Sequence, residues 1–347
     1  MTSASCPVPV GSYDRVVLGH GSGGRLSHEL FARVFAPLLG KDKAFALEDQ
    51  AVLPMPREGR LAVTTDAFVV NPLVFPGGDI GSLAVHGTVN DLAVGGARPL
   101  CITASFVLEE GLPMPLLERV VQSMHLACDA VPVRLVAGDT KVVDRGKADG
   151  IFITTTGVGV VPDAISLSAT KARPGDRVLV SGTLGDHGIT ILAARQGIDL
   201  TTALESDSAP LHGLTSAMLA ASPHIRCMRD LTRGGLSSAL NEIAAASRVG
   251  VKLVEKTVPL RPEVRGACEL LGLDPLYVAC EGRLVAVVDA AAAETVLAAM
   301  RRYPLGKDAA IVGTIVADHP GVVSLRTLVG GERIVALLSG EQLPRIC

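Results

Sequence analysis

The chain has no excess of basic residues: 32 Lys and Arg stand against 35 Asp and Glu, a formal charge of −3. With a pI near 6.2 it lacks the concentrated basic face that a nucleic acid or an anionic membrane surface would call for. It also lacks a long apolar run. Mean hydropathy is high, +0.40, yet Gly, Pro or a charge cuts each apolar stretch short of the roughly 20 residues a membrane span needs. The opening MTSASCPVPVGSYDRVV has no basic segment leading into an apolar one, so no signal peptide is read and the cytoplasm is the expected compartment. Seven cysteines are present, but no two form a C-x-x-C pair, which argues against a structural zinc site. Their odd number argues against a disulfide framework. Six of them read as small buried hydrophobes. Cys347, the last residue of a polar tail, does not.

What is present is an alternation of strand and helix patterns long enough for two domains. Val-, Ile- and Thr-rich stretches at Arg15–Leu18, Leu61–Thr65, Cys101–Leu108, Arg134–Ala137 and Gly150–Val161 read as strands. Apolar residues at helical spacing mark Leu26–Leu39, Ile80–Val94 and Pro115–Ala130. A connector opens at Pro162-Asp163, and Pro174-Gly175 turns into a second set. That set holds helices near Asp186–Gln196, Gly235–Ser247 and Ala291–Arg301, with strands near Arg177–Val180, Val251–Val254, Leu284–Val288 and Ala310–Val316. The expected division is residues 1–165, 166–338 and a mobile tail, 339–347, in which Gly340 and Pro344 disfavour regular structure. The fold class is α/β (α+β).

Four aspartates sit at strand ends or beside glycine-rich turns: Asp49, Asp66, Asp91 and Asp139. Carboxylates gathered this way suit a hard cation such as Mg2+, which shares oxygen ligands with phosphates. Taken singly, each also reads as a helix cap or turn residue. His20-Gly21-Ser22-Gly23-Gly24-Arg25 leads into a helix; it fits a phosphate loop and fits a plain tight turn equally well, because the Gly-Lys-Ser/Thr ending of a Walker sequence is missing. Arg229-Asp230-Leu231-Thr232-Arg233-Gly234-Gly235 repeats the idea, as does Ser181–Gly188. Lys141, two residues beyond Asp139, reads either as a surface lysine or as a counter-charge for a transferring phosphoryl group.

Together these motifs carry a resemblance. His20–Arg25, Thr65-Asp66, Asn90-Asp91, Gly138–Val143, Gly185–Gly188, Arg229–Gly235 and the closing Leu343-Pro344-Arg345-Ile346-Cys347 look like the HypE family of hydrogenase maturation proteins. They do so in order and over nearly the whole chain. The terminal Pro-Arg-Ile-Cys is the most specific element; the aspartate motifs are shared with the wider aminoimidazole ribonucleotide synthetase-like (PurM-like) superfamily. The resemblance implies that superfamily's two-domain fold and a homodimer. It implies an ATP-dependent carbamoyl dehydratase that turns a thiocarbamate on Cys347 into a thiocyanate, the source of the cyanide ligand of [NiFe] hydrogenase iron. A carbamoyltransferase, HypF, would load Cys347, and a HypC–HypD scaffold would receive the product.

By the same resemblance Asp66, Asp91 and Asp139, with Asp49 as a fourth, bind metal. Gly21, Gly23, Gly24 and Asp230 join these four aspartates around ATP, and Lys141 and Glu281 act with Cys347. Cys280 and Arg283 stand beside Glu281 where the family pattern has Asn and Lys. His20 and His187 are expected to brace turns, and the apolar residues Leu83, Val85 and Val94 are expected to serve the dimer. Two other readings fit much of the chain: a small-molecule kinase or ligase of the same superfamily, and a nucleotide-binding scaffold without catalysis. The first would not need the terminal Pro-Arg-Ile-Cys; the second would hand the tail between partners and would not need Lys141 or the four aspartates. Prenylation is excluded, because its motif places Cys fourth from the end.

Overall fold

The computed structural model describes residues 13–39, 50–54, 56–198, 204–338, 340, 343 and 345–347. Asp49 and Cys6 lie outside them. Arg15 makes only an isolated bridge to Pro113, and Leu18–Gly21 is a 3-10 turn, so the strand expected at Arg15–Leu18 does not form. The helix expected at Leu26–Leu39 is interrupted: α1 (Arg25–Leu30) passes through a π-helical turn, Phe31–Phe35, into α2 (Ala36–Leu39).

The first sheet is built from β1 (Arg60–Phe68), β4 (Arg98–Glu109), β5 (Arg134–Val143) and β6 (Ile151–Val161), in the order β1-β6-β4-β5. Short β2 (Val74–Phe75) and β3 (Gly78–Asp79) form a separate hairpin. The parallel β4–β5 pair requires a crossover, which α4 (Met114–Ala130) supplies. Helix α3 (Ile80–Val94) is buried along nearly its whole length. It is apolar all round because β1, β4, β6 and α4 cover one side and the second domain covers the other. Asp79 caps it, accepting from the N–H of Gly81 and Ser82 at 2.9 and 3.1 Å, a cap worth about 1 kcal/mol. Leu83, Val85 and Val94 are therefore core residues, 0, 0 and 6% exposed, and cannot meet a second copy.

Among the described residues no helix packs on the other face of this sheet, which β1 presents as the alternating exposed residues Leu61, Val63, Thr65 and Ala67. Register then separates the aspartates. Asp66 pairs with Thr155, Thr155 with Ala104, and Ala104 with Gly138. Asp139 and Lys141 thus lie one pleat out of phase with Asp66, on the uncovered face and three strands away.

The second sheet has seven strands: β7 (Arg177–Val180), β8 (Ile225–Asp230), β9 (Gly250–Val254), β10 (Leu284–Val288), β11 (Ala310–Val316), β12 (Val323–Arg326) and β13 (Glu332–Ile334). Their order is β13-β12-β9-β11-β7-β10-β8. Strand β10, between β7 and the edge strand β8, is buried on both faces. Val285 and Val287 pack with α7 (Gly235–Ser247). Leu284, Ala286 and Val288 pack with α6 (His212–Ala221) and α9 (Ala293–Arg302). Helices α5 (Asp186–Gln196) and α8 (Pro262–Leu271) flank this layer where it meets the first domain. Among the described residues, no helix is long and apolar enough to cross a membrane.

Candidate active site

Helix α3 projects into the cleft between the sheets, and two adjacent residues on it face different domains. Asn90 reaches the second domain, donating to the carbonyls of Glu281 (3.0 Å) and Ala209 (3.1 Å) and accepting from the Leu211 N–H (2.7 Å). Asp91 faces β1 and accepts a 2.5 Å hydrogen bond from the Thr64 hydroxyl. Asp66, from β1, and Asp230, from the end of β8, complete the wall of a cavity of about 130 Å³. Arg233, Glu281 and Cys347 line the rest of it.

This cavity is crowded with acid. Burial and the nearby Asp91 raise Asp66 to about 6. Burial, with Asp91 and Asp66, raises Asp230 to about 7. Glu281, only 2% exposed, is pushed well above its ordinary value by burial and by Asp230, Asp207 and Asp66. Among the described residues its Oε1 has no hydrogen-bond partner. Its backbone is pinned on both sides, the N–H by Asp207 Oδ1 at 3.0 Å and the carbonyl by Asn90.

Cys347 enters between the acids. It is half-buried, and it lines the cavity beside Arg233 and Glu281. Burial and the Glu281 charge push the thiol up to about 12, against a smaller lowering by Arg233. Docked here it is a protonated, weakly nucleophilic thiol. The described tail residues carry no regular structure, and the end of the tail is seated: the Ile346 side chain is 6% exposed within the first domain's core. His187 does more than brace a turn. Its Nε2 lies 2.7 Å from the Ile346 carbonyl and its Nδ1 2.7 Å from the Ser206 hydroxyl. Burial lowers it to about 4, so the ring is neutral; because the carbonyl can only accept, Nε2 carries the proton. His20 does brace its turn, accepting the Val17 N–H at Nδ1.

The glycine-rich turn borders a second, more open pocket of about 230 Å³. Gly21, Gly23, Phe31, Phe106, Asp139 and Lys141 are among its lining residues. A Cβ on Gly21 would meet the Val142 N–H at 2.4 Å, and Gly23 holds φ +76°, so each position needs glycine. Gly24 is exposed beside them. Lys141 and Asp139 are 4.0 Å apart, both largely exposed. Asp139 thus joins Lys141 in this pocket, while Asp66, Asp91 and Asp230 share the other; within one chain the expected metal carboxylates do not converge on one point. Among the described residues no group of three or more His, Cys, Asp or Glu is already disposed to hold an ion. The crowded oxygens of Asp66, Asp91 and Asp230 nonetheless suit Mg2+, which takes one or two carboxylates and draws its other ligands from phosphates and water.

The two other glycine-containing motifs divide. In Arg229–Gly235 the Arg229 side chain is engaged by Glu242, while Asp230 and Arg233 line the cavity. In the Ser181–Gly188 turn, Asp186 is fully buried and accepts from the Thr183 hydroxyl at 2.6 Å, with Arg261 at 3.2 Å and Arg283 at 3.9 Å. Cys280 accepts the Gly185 N–H at 3.1 Å, and Arg283 lies 3.6 Å from Asp207. These two residues build the wall behind Glu281. Asp207 gave no signal in the sequence, because it lies in an irregular segment. Arg233 was visible only as part of its motif.

Residues 47–161 match the AIR synthase related protein, N-terminal domain, and residues 173–326 its C-terminal domain. Carbamoyl dehydratase HypE of Azotobacter vinelandii is 56% identical over 332 residues, spanning 96% of this chain and 97% of its own. A crystal structure of hydrogenase maturation protein HypE in complex with ATP superposes with a TM-score of 0.91 at 46% identity, covering 95% of this chain and 99% of that one. The structure of a HypE–HypF complex gives 0.77 at 44% identity, covering 90% and 99%.

Proposed function

This chain belongs to the AIR synthase related family and, within it, to the HypE carbamoyl dehydratases, and from that membership we propose that it dehydrates a thiocarbamate carried on its own Cys347 to a thiocyanate, using ATP. The observation that carries the reading is the seating of the Cys347 sulfur between Glu281 and Arg233, in a cavity walled by Asp66, Asp91 and Asp230.

The carboxamide oxygen of an S-carbamoyl group is a poor leaving group, and transfer of the γ-phosphoryl of ATP to it makes it a good one. The C–O bond then breaks, phosphate departs with the oxygen, and both N–H protons are lost, leaving S–C≡N. Glu281, in the same cavity as the sulfur, would accept a proton from the carboxamide nitrogen. Its raised affinity for protons makes it a stronger base once ionised. Arg233, the guanidinium beside the sulfur, stabilises the charge that builds on the transferring oxygens. Asp66, Asp91 and Asp230 would hold Mg2+, which neutralises γ-phosphate charge. Gly21, Gly23, Gly24, Asp139 and Lys141 would hold the nucleotide. That this pocket is separate from the Cys347 cavity in one protomer accords with a homodimer. The bare sheet face carrying Val63, 67% exposed, is the surface a second copy would cover, and Val63→Lys should give a monomer by sedimentation.

HypF would supply the carbamoyl group, the cyanide ligand would pass to iron through the HypC–HypD scaffold, and the setting would be the cytoplasm. Intact mass after incubation with ATP, Mg2+, carbamoyl phosphate and the carbamoyltransferase tests the reading. Gain of one carbamoyl group, then ATP-dependent loss of one water, both absent from Cys347→Ala, is expected. ATP hydrolysis with no mass change on Cys347 would overturn it.

A further inference from the structure

The last three residues make a pattern of contacts separate from those of the sulfur. Val69, just beyond the end of β1, donates its N–H to the Cys347 carbonyl at 3.1 Å, and Asn71 donates to the Arg345 carbonyl at 3.2 Å. Residues two apart on one segment bond residues two apart on the other in reverse order, as in an antiparallel ladder. The tail end thus runs antiparallel beside the continuation of β1, held by backbone hydrogen bonds as extended peptides are.

Side chains then read each residue. Ile346 buries its side chain against the first domain's core and gives its carbonyl to His187. Arg345 is held twice: its guanidinium lies 2.8 Å from Asp149 Oδ2, and its carbonyl accepts from Arg195 at 2.6 Å. Arg195 also donates to the Asn71 carbonyl at 2.8 Å, stiffening the segment on which the tail pairs. The Arg345 backbone bends through the left-handed region at φ 54°, a conformation a non-glycine residue keeps where its surroundings fix it.

We infer that Val69–Asn71, Asp149, Arg195 and His187 form a peptide-recognition groove for a segment ending Arg-Ile-Cys, in which Asp149 and Arg195 select Arg345. The groove sets how deeply the Cys347 sulfur reaches between Glu281 and Arg233. Asp149, Arg195 and His187 are positioning residues. The importance of that depth rests on the proposed dehydration, but the docking itself does not.

The test is the rate at which iodoacetamide alkylates Cys347 in the full chain, without ATP or a partner protein, followed by mass spectrometry of the C-terminal peptide. The Arg345–Asp149 pair is partly exposed, so Asp149→Ala should speed alkylation only about threefold. Asp149→Arg sets a like charge against Arg345 and Arg195 and should speed it about tenfold. Combining Asp149→Arg with Arg345→Asp restores an opposite pair and should return the rate to within about twofold of the parent. Asp149 and Arg345 are 26 and 55% exposed, so the fold should tolerate these changes. A rate unchanged in Asp149→Arg, or a double exchange as fast as Asp149→Arg alone, would overturn the groove. Failure of the dehydration assay would leave this result standing, because no turnover is needed to read it.

Discussion

Two groups of acids flank Glu281, and the molecule treats them oppositely. Behind it, Asp186 and Asp207 are buried with guanidinium groups close by: Arg261 and Arg283 at the first, Arg283 at the second. In front of it, Asp66, Asp91 and Asp230 crowd one cavity with Arg233 as the neighbouring cation, and that arginine shares the cavity with Cys347 as well. Burial raises Asp186 and Asp207 too, but Arg261 and Arg283 at the first and Arg283 at the second offset part of that rise, so the rear group's role is to hold a wall. In the front group burial and neighbouring carboxylates raise the proton affinity of Asp66 and Asp230, which is what a site looks like when its missing positive charge arrives with a ligand.

The contrast can be broken most sharply at Arg283. Replacing it with Met leaves Asp207 buried without its counter-charge and should cost about 3–5 kcal/mol of stability, read as a lowered denaturant midpoint; a midpoint unchanged from the parent would mean the rear group needs no such balance. Asp91→Ala should do the reverse. It relieves crowding, so thermal stability should hold or rise, while ATP-dependent loss of water from the carbamoylated chain slows about 10²–10³-fold. Equal stability losses in the two variants would erase the distinction.

The smallest effect is in pH. Asp66 and Asp230 in the folded chain bind protons up to about 6 and about 7. The unfolded chain releases them near 4, so their contribution to stability is full below that value and is lost as pH rises through 6 to 7. Buried His86 and His187, both lowered to about 4, give the opposite slope between about 4 and 6.5. Comparison with Asp66→Asn/Asp230→Asn isolates the acids: the parent's Tm should fall relative to the double variant's by a few degrees between pH 4.5 and 7.5. Parallel curves would show that the front acids are not coupled.

Much of this was legible in the sequence. Helices Ile80–Val94, Asp186–Gln196 and Gly235–Ser247 and strands Arg177–Val180, Leu284–Val288 and Ala310–Val316 are where the periodicity puts them, because most have Gly or Asp at an end and all pack into a core. The strand at Ile225–Asp230 was missed, since Arg226 and Arg229 interrupt its apolar run and only burial of Cys227 and Met228 makes it sheet. Asp66 and Asp91 were found as site candidates from their motifs. Their separation from Asp139 was not visible, because strand alternation gives each residue's face but not the order of strands across a sheet. Asp207 and the groove contacts of Asp149 and Arg195 depend on tertiary meetings of distant segments, for which a single sequence has no periodic sign.

The last anchored part of the second domain before the tail is Ala336, whose carbonyl accepts from Ser237 and from Tyr277. The eleven residues that follow it can span at most ~36 Å when fully extended. That length is a tether radius. Any protein that loads or unloads the sulfur must bring its own reactive centre within that reach of Ala336, and each ångström of depth in its pocket is subtracted from the distance at which the two surfaces can stand apart.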